Sequence, residues 1–277
     1  MKRFDFKVGE YYPDIMGIGY VQAYIHEPNS EMKRDKFPSV VVVPGGSYWT
    51  TSEREAEPVA MRFYADGYNV FVLRYTTTHE AISHEATGIT PYPTCYKEVG
   101  AVVDLIKKKP KGWYLDGKVI VVGFSAGGHL AATLSTRYDD KVVTDGVRRC
   151  KPDATILVYP VITGDEFAHR PSFEQLTGTS DVAVHQVESV ENYVHEGMSP
   201  VYVCHAMDDD GVDVRNSLLF VSKLAEFKVD CECHIYPHGR HGFSTATSLV
   251  NTPFDNTANW VDEALSFLKA RGLSIEK

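Results

Sequence analysis

Short apolar runs alternate with amphipathic stretches along most of the chain. Ser39–Val43, Tyr68–Leu73, Lys118–Val122, Ala154–Tyr159, Pro200–Cys204 and Cys231–Tyr236 are rich in β-branched and aromatic residues. Runs that are apolar on both faces predict strands of a parallel sheet covered on each side by helices. Between them, apolar positions recur at helical spacing over Glu53–Ala65, Tyr96–Lys107, Gly128–Thr136, Val214–Phe227 and Asn259–Lys269. Strand alternating with helix implies a parallel sheet with right-handed crossovers, an α/β architecture. Val21–Ile25 alternates instead and predicts an antiparallel edge strand. Ile162–Met198 is less regular, with a weak helical pattern only over Ser172–Leu176. An excursion of this kind runs over one end of a sheet, where it either shapes a substrate site or decorates the surface. With no repeat, linker or low-complexity tract, the pattern predicts one domain over residues 1–277.

Composition narrows the function classes. The 277 residues are 43% hydrophobic and 23% charged, enough for a substantial core, and the formal charge of −9 argues against nucleic acid as partner. The local basic cluster Lys107-Lys108-Lys109 with Lys111 falls where a helix should end and opposes the negative end of its dipole. No stretch approaches the length of a membrane span, and Met1–Lys7 lacks the apolar core of a signal peptide. Five cysteines without framework spacing fit a reducing compartment, so the expected location is the cytoplasm. The expected partner is a small-molecule or oligosaccharide ester, with no membrane and an open oligomeric state.

The strongest chemical signal is Gly123-Phe124-Ser125-Ala126-Gly127, placed between an apolar strand and a helical stretch. A tight strand-to-helix turn strains its central residue and presents the hydroxyl at a helix N-terminus. Small neighbours let the backbones approach, so Ser125 is the expected nucleophile. A serine hydroxyl needs a base. His241, flanked by glycines in Gly239-Arg240-His241-Gly242-Phe243 after the last strand, is preferred over His238. The imidazole in turn needs a carboxylate. Asp208-Asp209-Asp210 follows the Pro200–Cys204 strand in the required chain order. Position leaves the three open, and Asp208, nearest the strand end, is the first choice. The oxyanion donors expected are the Ala126 N–H and amides of the Pro44-Gly45-Gly46-Ser47 turn, Gly46 and Ser47 in particular.

Other candidates read differently. At strand spacing Cys231 and Cys233 share a face opposite His234, which predicts core packing rather than zinc. No metal or cofactor is expected. His129 should be buried and hydrogen-bonded one turn into the helix after Ser125. Tyr48, Trp49 and Tyr75 stand at C-terminal strand ends beside the expected pocket, where aromatic faces suit sugar or aryl groups.

These residues resemble a known family. From about Val40 to Leu268 the chain is similar to α/β-hydrolase fold carbohydrate esterases and acetyl esterases of the acetyl-xylan or feruloyl esterase type. The likeness is carried by Val43–Tyr48, Ser52–Ala60, Gly123–Ala131, Val158–Val161, His205–Asp209, His234–Pro237 and Gly239–Phe243. It implies a mostly parallel sheet of about eight strands without a large cap domain, and a Ser125, Asp208, His241 triad. Gly46 and Ser47 match its oxyanion motif, and Arg54 and Glu55 would pair near the rim of the site. Ser47 replaces a third glycine common in relatives, Met207 a smaller residue, and Asp210–Asp213 the usual valine-proline ending. The expected activity is hydrolysis of acetyl or other short acyl esters, from carbohydrates such as acetylated xylo- or manno-oligosaccharides. Alternatives are an arylformamidase- or peptidase-like amide hydrolase, and a catalytically dead binding protein.

Overall fold

The computed structural model describes residues 1–31, 34–145, 148–250 and 257–275. Eight strands form one sheet: β1 (Lys2–Lys7), β2 (Tyr20–Ile25), β3 (Phe37–Val43), β4 (Asn69–Arg74), β5 (Leu115–Phe124), β6 (Ala154–Val158), β7 (Val201–Ala206) and β8 (Cys231–Tyr236). Their order is β1-β2-β4-β3-β5-β6-β7-β8. The β1–β2 and β2–β4 pairs are antiparallel and every later pair is parallel, the sheet expected of an α/β hydrolase.

The β-branched runs explain the layering. Every residue of β3 is buried. Val41 and Val43 enter one core with residues of α3 (Thr94–Lys107), α4 (Ser125–Arg137) and α7 (Arg215–Glu226). Val40 and Val42 enter the opposite core with α2 (Glu57–Ala65) and α8 (Trp260–Ala270). The period of two thus feeds two apolar layers at once, which is why these strands read as continuous runs.

Both sheet edges differ from expectation. The predicted edge strand, Val21–Ile25 in β2, is an inner strand, because β1 pairs along its outer side from Lys2↔Ile25 to Lys7↔Tyr20. In β1 the charged residues alternate with only two aromatics, Phe4 and Phe6, which pack on Trp113 at ring distances of 5.3 and 5.4 Å. At the other edge lies β8, so Cys233 is exposed and only Cys231 packs against the core; the predicted core role fails for Cys233. Among the described residues no group of His, Cys, Asp or Glu could hold a metal ion.

The excursion between β6 and β7 carries α5 (Arg170–Thr177) and α6 (Val182–Val187). It is tied to the helices beneath it: the Tyr96 hydroxyl donates to Glu188 Oε2 at 2.9 Å, and His129 Nε2 meets the Glu188 carbonyl at 2.9 Å. No helix among the described residues is long and apolar enough to cross a membrane.

Candidate active site

Ser125 stands at the junction of β5 and α4 with φ +52°, a left-handed value that a residue with a side chain adopts only under constraint. The constraint is close packing: a Cβ at Gly127 would overlap the carbonyl oxygens of Val43 and Pro44. The turn can therefore close only on glycine. The serine is 5% exposed, and its hydroxyl lies 2.9 Å from His241 Nε2.

His241 Nδ1 faces Asp209, at 2.9 Å from Oδ2 and 3.1 Å from Oδ1. The expected partner, Asp208, does not reach the His241 ring. A turn closed by Asp209 N–H to the Ala206 carbonyl, at 3.3 Å, reverses the chain after β7. Asp209 is thereby folded back over His205, while Asp208 is left at the rim. The chain does not continue straight beyond β7, so the aspartate nearest the strand end is not the one that meets the ring. All three aspartates bind the histidine loop. Asp208 accepts from the Gly239 amide at 2.9 Å and bonds His238 Nδ1 at 3.0 Å. Asp210 accepts the His241 amide at 3.3 Å.

The Asp209 side chain is fully buried and wholly an acceptor. Its Oδ1 takes the amides of Gly211 at 2.9 Å and Val212 at 2.8 Å, and Oδ2 meets His205 Nε2 at 3.1 Å. Burial raises its pKa, but hydrogen bonds from His205 and His241 outweigh that and hold the carboxyl well below the ordinary range. An ionised Asp209 fixes the proton of His241 on Nδ1, leaving Nε2 to accept from Ser125. His205 obeys the same logic. Its Nε2 faces two acceptors, Asp209 and the Val212 carbonyl at 3.0 Å, so Nε2 carries hydrogen. Its Nδ1 then accepts from Ser217 Oγ at 2.7 Å. The spacing of His205 four residues before Asp209 was the available sequence signal for this pair.

The turn after β3 lies against Ser125. A Cβ at Gly45 would sit 2.8 Å from Ser125 Cβ. Gly46, Ser47 and Tyr48 have φ of +123°, +57° and +58°. The Gly46 carbonyl accepts from Trp49 and Thr50, at 3.0 and 3.1 Å. The Gly46 and Ser47 amides have no partner among the described residues. Ala126 N–H belongs to the first turn of α4, where amides have no intrahelical acceptor.

Of the three aromatics expected to touch substrate, only Trp49 shows a sizeable face, at 36% exposure, beside His79 and His84. Tyr48 and Tyr75 are buried with committed hydroxyls, to His129 Nδ1 at 2.8 Å and the Pro44 carbonyl at 3.0 Å. They hold the loop in place. His129 is buried as expected, which brings its pKa down to about 4. Glu55 does not form the expected pair with Arg54; it accepts from the Gly45 amide at 2.7 Å and the Tyr159 hydroxyl at 2.8 Å. The Tyr159 ring is edge-on to His241 at 5.1 Å. Beside the histidine lies an open groove of about 430 Å³, whose wall includes Phe167, His169, Asp213, Arg215 and Gly211. A Cβ at Gly211 would stand 2.7 Å from His241 Cγ, so the groove abuts the imidazole.

Known proteins are similar to this chain in sequence and in fold. The "Endo-1,4-beta-xylanase B" of Butyrivibrio fibrisolvens is 33% identical over 81% of the chain. The "Acetylxylan esterase" of Xylanibacter ruminicola is 29% identical over 76%. The matched parts are 34% and 42% of those proteins, so the chain spans well under half the length of the curated relatives it matches. Among solved structures, an acetyl ester-xyloside bifunctional hydrolase from Caldicellulosiruptor lactoaceticus superposes with a TM-score of 0.81 at 29% identity. That match covers 98% of this chain and 97% of that one. The carboxylesterase Cest-2923 of Lactobacillus plantarum shares the fold with a TM-score of 0.85 at 24% identity, over the full length of both. The BD-FAE family profile matches residues 25–224, and the chain belongs to this family of α/β hydrolases.

Proposed function

We propose that the chain is a serine esterase removing acetyl or similarly short acyl groups, with acetylated xylo- or manno-oligosaccharides as its carbohydrate substrates. The observation that carries this reading is the continuous line from Ser125 Oγ to His241 Nε2 and from His241 Nδ1 to buried Asp209. Ser125 Oγ attacks the ester carbonyl while its proton passes to His241 Nε2. The Ala126 amide, with Gly46 and Ser47 from the β3 turn, receives the oxyanion. His241 then gives the proton to the leaving alcohol oxygen, the carbon–oxygen bond breaks, and the acyl group stays on Ser125. Water adds to that ester with His241 again as base, releasing the carboxylic acid and restoring the serine. Asp209 in place of Asp208 is part of this reading. The xylan-related names of two relatives support the carbohydrate, and the polar groove beside His241 suits a leaving group bearing hydroxyls.

The test is Ser125→Ala assayed beside the native protein on acetyl, butyryl and feruloyl esters, acetylated xylo- and manno-oligosaccharides, and a formanilide. The expected result is acetyl preference by the native protein and complete loss in the variant. Retained turnover by Ser125→Ala overturns the mechanism, and preference for longer acyl chains or for the anilide overturns the substrate class.

A further inference from the structure

Glu55 is 2% exposed, and among the described residues no cation pairs with it. A buried carboxylate without a counter-ion is destabilising unless strong donors meet both oxygens. Here they do: Gly45 N–H donates to Oε2 at 2.7 Å and Tyr159 O–H donates to Oε1 at 2.8 Å. The Tyr159 hydroxyl in turn accepts the Ser244 amide at 2.9 Å, three residues beyond His241. Tyr159 itself has φ +40°, and burial followed by the charge of Glu55 raises its pKa far above the ordinary phenol value, so the O–H stays a donor. One chain of hydrogen bonds therefore joins the turn after β3, the segment before α2, the end of β6 and the histidine loop.

The turn that Glu55 holds is strained. Ser47 and Tyr48 both lie in the left-handed region, and such residues persist only where their surroundings over-determine them. Tyr48 and Tyr75 anchor the turn from one side through His129 and Pro44. Glu55 anchors it from beneath through a charge-assisted bond to Gly45. That bond occupies the Gly45 amide, and Gly46 and Ser47 carry the next amides along the turn. A fixed negative charge near a developing oxyanion opposes it, so a purely electrostatic role for Glu55 would slow the reaction. Its geometry fits a positional role.

We infer that Glu55 is a positioning residue, acting with Tyr159 to hold the oxyanion turn and the His241 loop in one register around Ser125. This rests on the esterase reading above. Glu55→Gln keeps an oxygen for Gly45 and loses the charge, Glu55→Ala loses the anchor, and Tyr159→Phe keeps the ring against His241 but drops the link to Ser244. Each is assayed for kcat and KM on p-nitrophenyl acetate, normalised to active sites counted by a fluorophosphonate probe. Each is also assayed for inhibition by a trifluoromethyl ketone, whose adduct places an oxyanion in the hole.

Glu55→Ala should lower kcat by about 10²–10³, the cost of a lost oxyanion donor, with KM within about threefold. Affinity for the ketone should fall in parallel. Glu55→Gln should recover most of both, and Tyr159→Phe should fall between. A Glu55→Ala protein that loses thermal stability while kcat per active site and ketone affinity hold within threefold overturns the inference. Equal losses in Glu55→Gln and Glu55→Ala also overturn it. Failure of the esterase reading is distinguishable, since Ser125→Ala would then retain activity or the native protein would show none.

Discussion

The replacement of Asp208 by Asp209 as partner of His241 separates two neighbouring carboxylates by geometry alone, so removing each charge in turn is a sharp test. In Asp209→Asn the amide offers one acceptor oxygen to a site holding only donors: Gly211 and Val212 amides on one side, His205 and His241 nitrogens on the other. If the oxygen stays with the two amides, the NH₂ group faces His241 Nδ1, which must then give up its hydrogen and accept. The proton moves to Nε2, where it points at Ser125 Oγ and the base is already occupied. A wrong tautomer of this kind costs on the order of 10⁴ in kcat, about 5 kcal/mol of transition-state stabilisation. Asp208→Asn keeps an oxygen for the Gly239 amide and changes only a rim contact with His238, whose side chain is 78% exposed. Exposed pairs of this type contribute little, and the expected loss is under about fivefold. The assay is kcat on p-nitrophenyl acetate per titrated active site, which corrects for any unfolded fraction left by the buried mismatch in Asp209→Asn. Asp209→Asn within tenfold of native, or Asp208→Asn as impaired as Asp209→Asn, would refute the assignment.

Other consequences follow from single observations. Gly127→Ala should abolish soluble expression or lower the thermal midpoint sharply, because its methyl group would overlap the backbone oxygens of Val43 and Pro44 where β3 ends; a native-like melting curve would contradict this. His129, with its folded pKa about 4 against about 6.5 unfolded, contributes stability that is lost as pH falls from about 6.5 to 4, since the unfolded state takes up the proton first. The loss totals about 3 kcal/mol, and urea midpoints of native and His129→Gln proteins should converge across that window rather than stay parallel. Glu98 works in the opposite sense: burial pushes its carboxyl up to about 7, so it loses stability as pH rises from about 4.5 to 7. Urea midpoints of Glu98→Gln should therefore fall less over that rise than those of the native protein. Trp49→Ala should raise KM for acetylated xylo-oligosaccharides about three- to tenfold with kcat retained, as loss of one aromatic face implies; an unchanged KM would remove Trp49 from the substrate path.

What the sequence discloses here divides along a physical line. Periodicity reports burial, so the strands β3 to β7, buried along most of their length, and the longer helices are legible. Of the two edges, β8 is legible as Cys231–Tyr236 although it leaves Cys233 to solvent, whereas β1 is not, because it offers only Phe4 and Phe6 to the core. Ser125 at the elbow is legible for a different reason. Steric closure of the elbow demands glycine at fixed spacing, and a requirement on residue type is written directly into the chain. The choice among Asp208, Asp209 and Asp210 is set instead by the path of a turn closed by one backbone bond to Ala206, and all three residue types are identical. Glu55 and Tyr159 are hidden more deeply. They lie 104 residues apart, and each is unremarkable in its own segment. Their meeting depends on the order of β3 and β6 around β5, which no local pattern encodes. The parts of the site that need a particular residue can be read from the chain, whereas those that hold the parts in register arise where strands distant in sequence end side by side. Substitutions at such positions should alter rate without altering any recognisable motif, and Glu55 is where that consequence is most directly exposed.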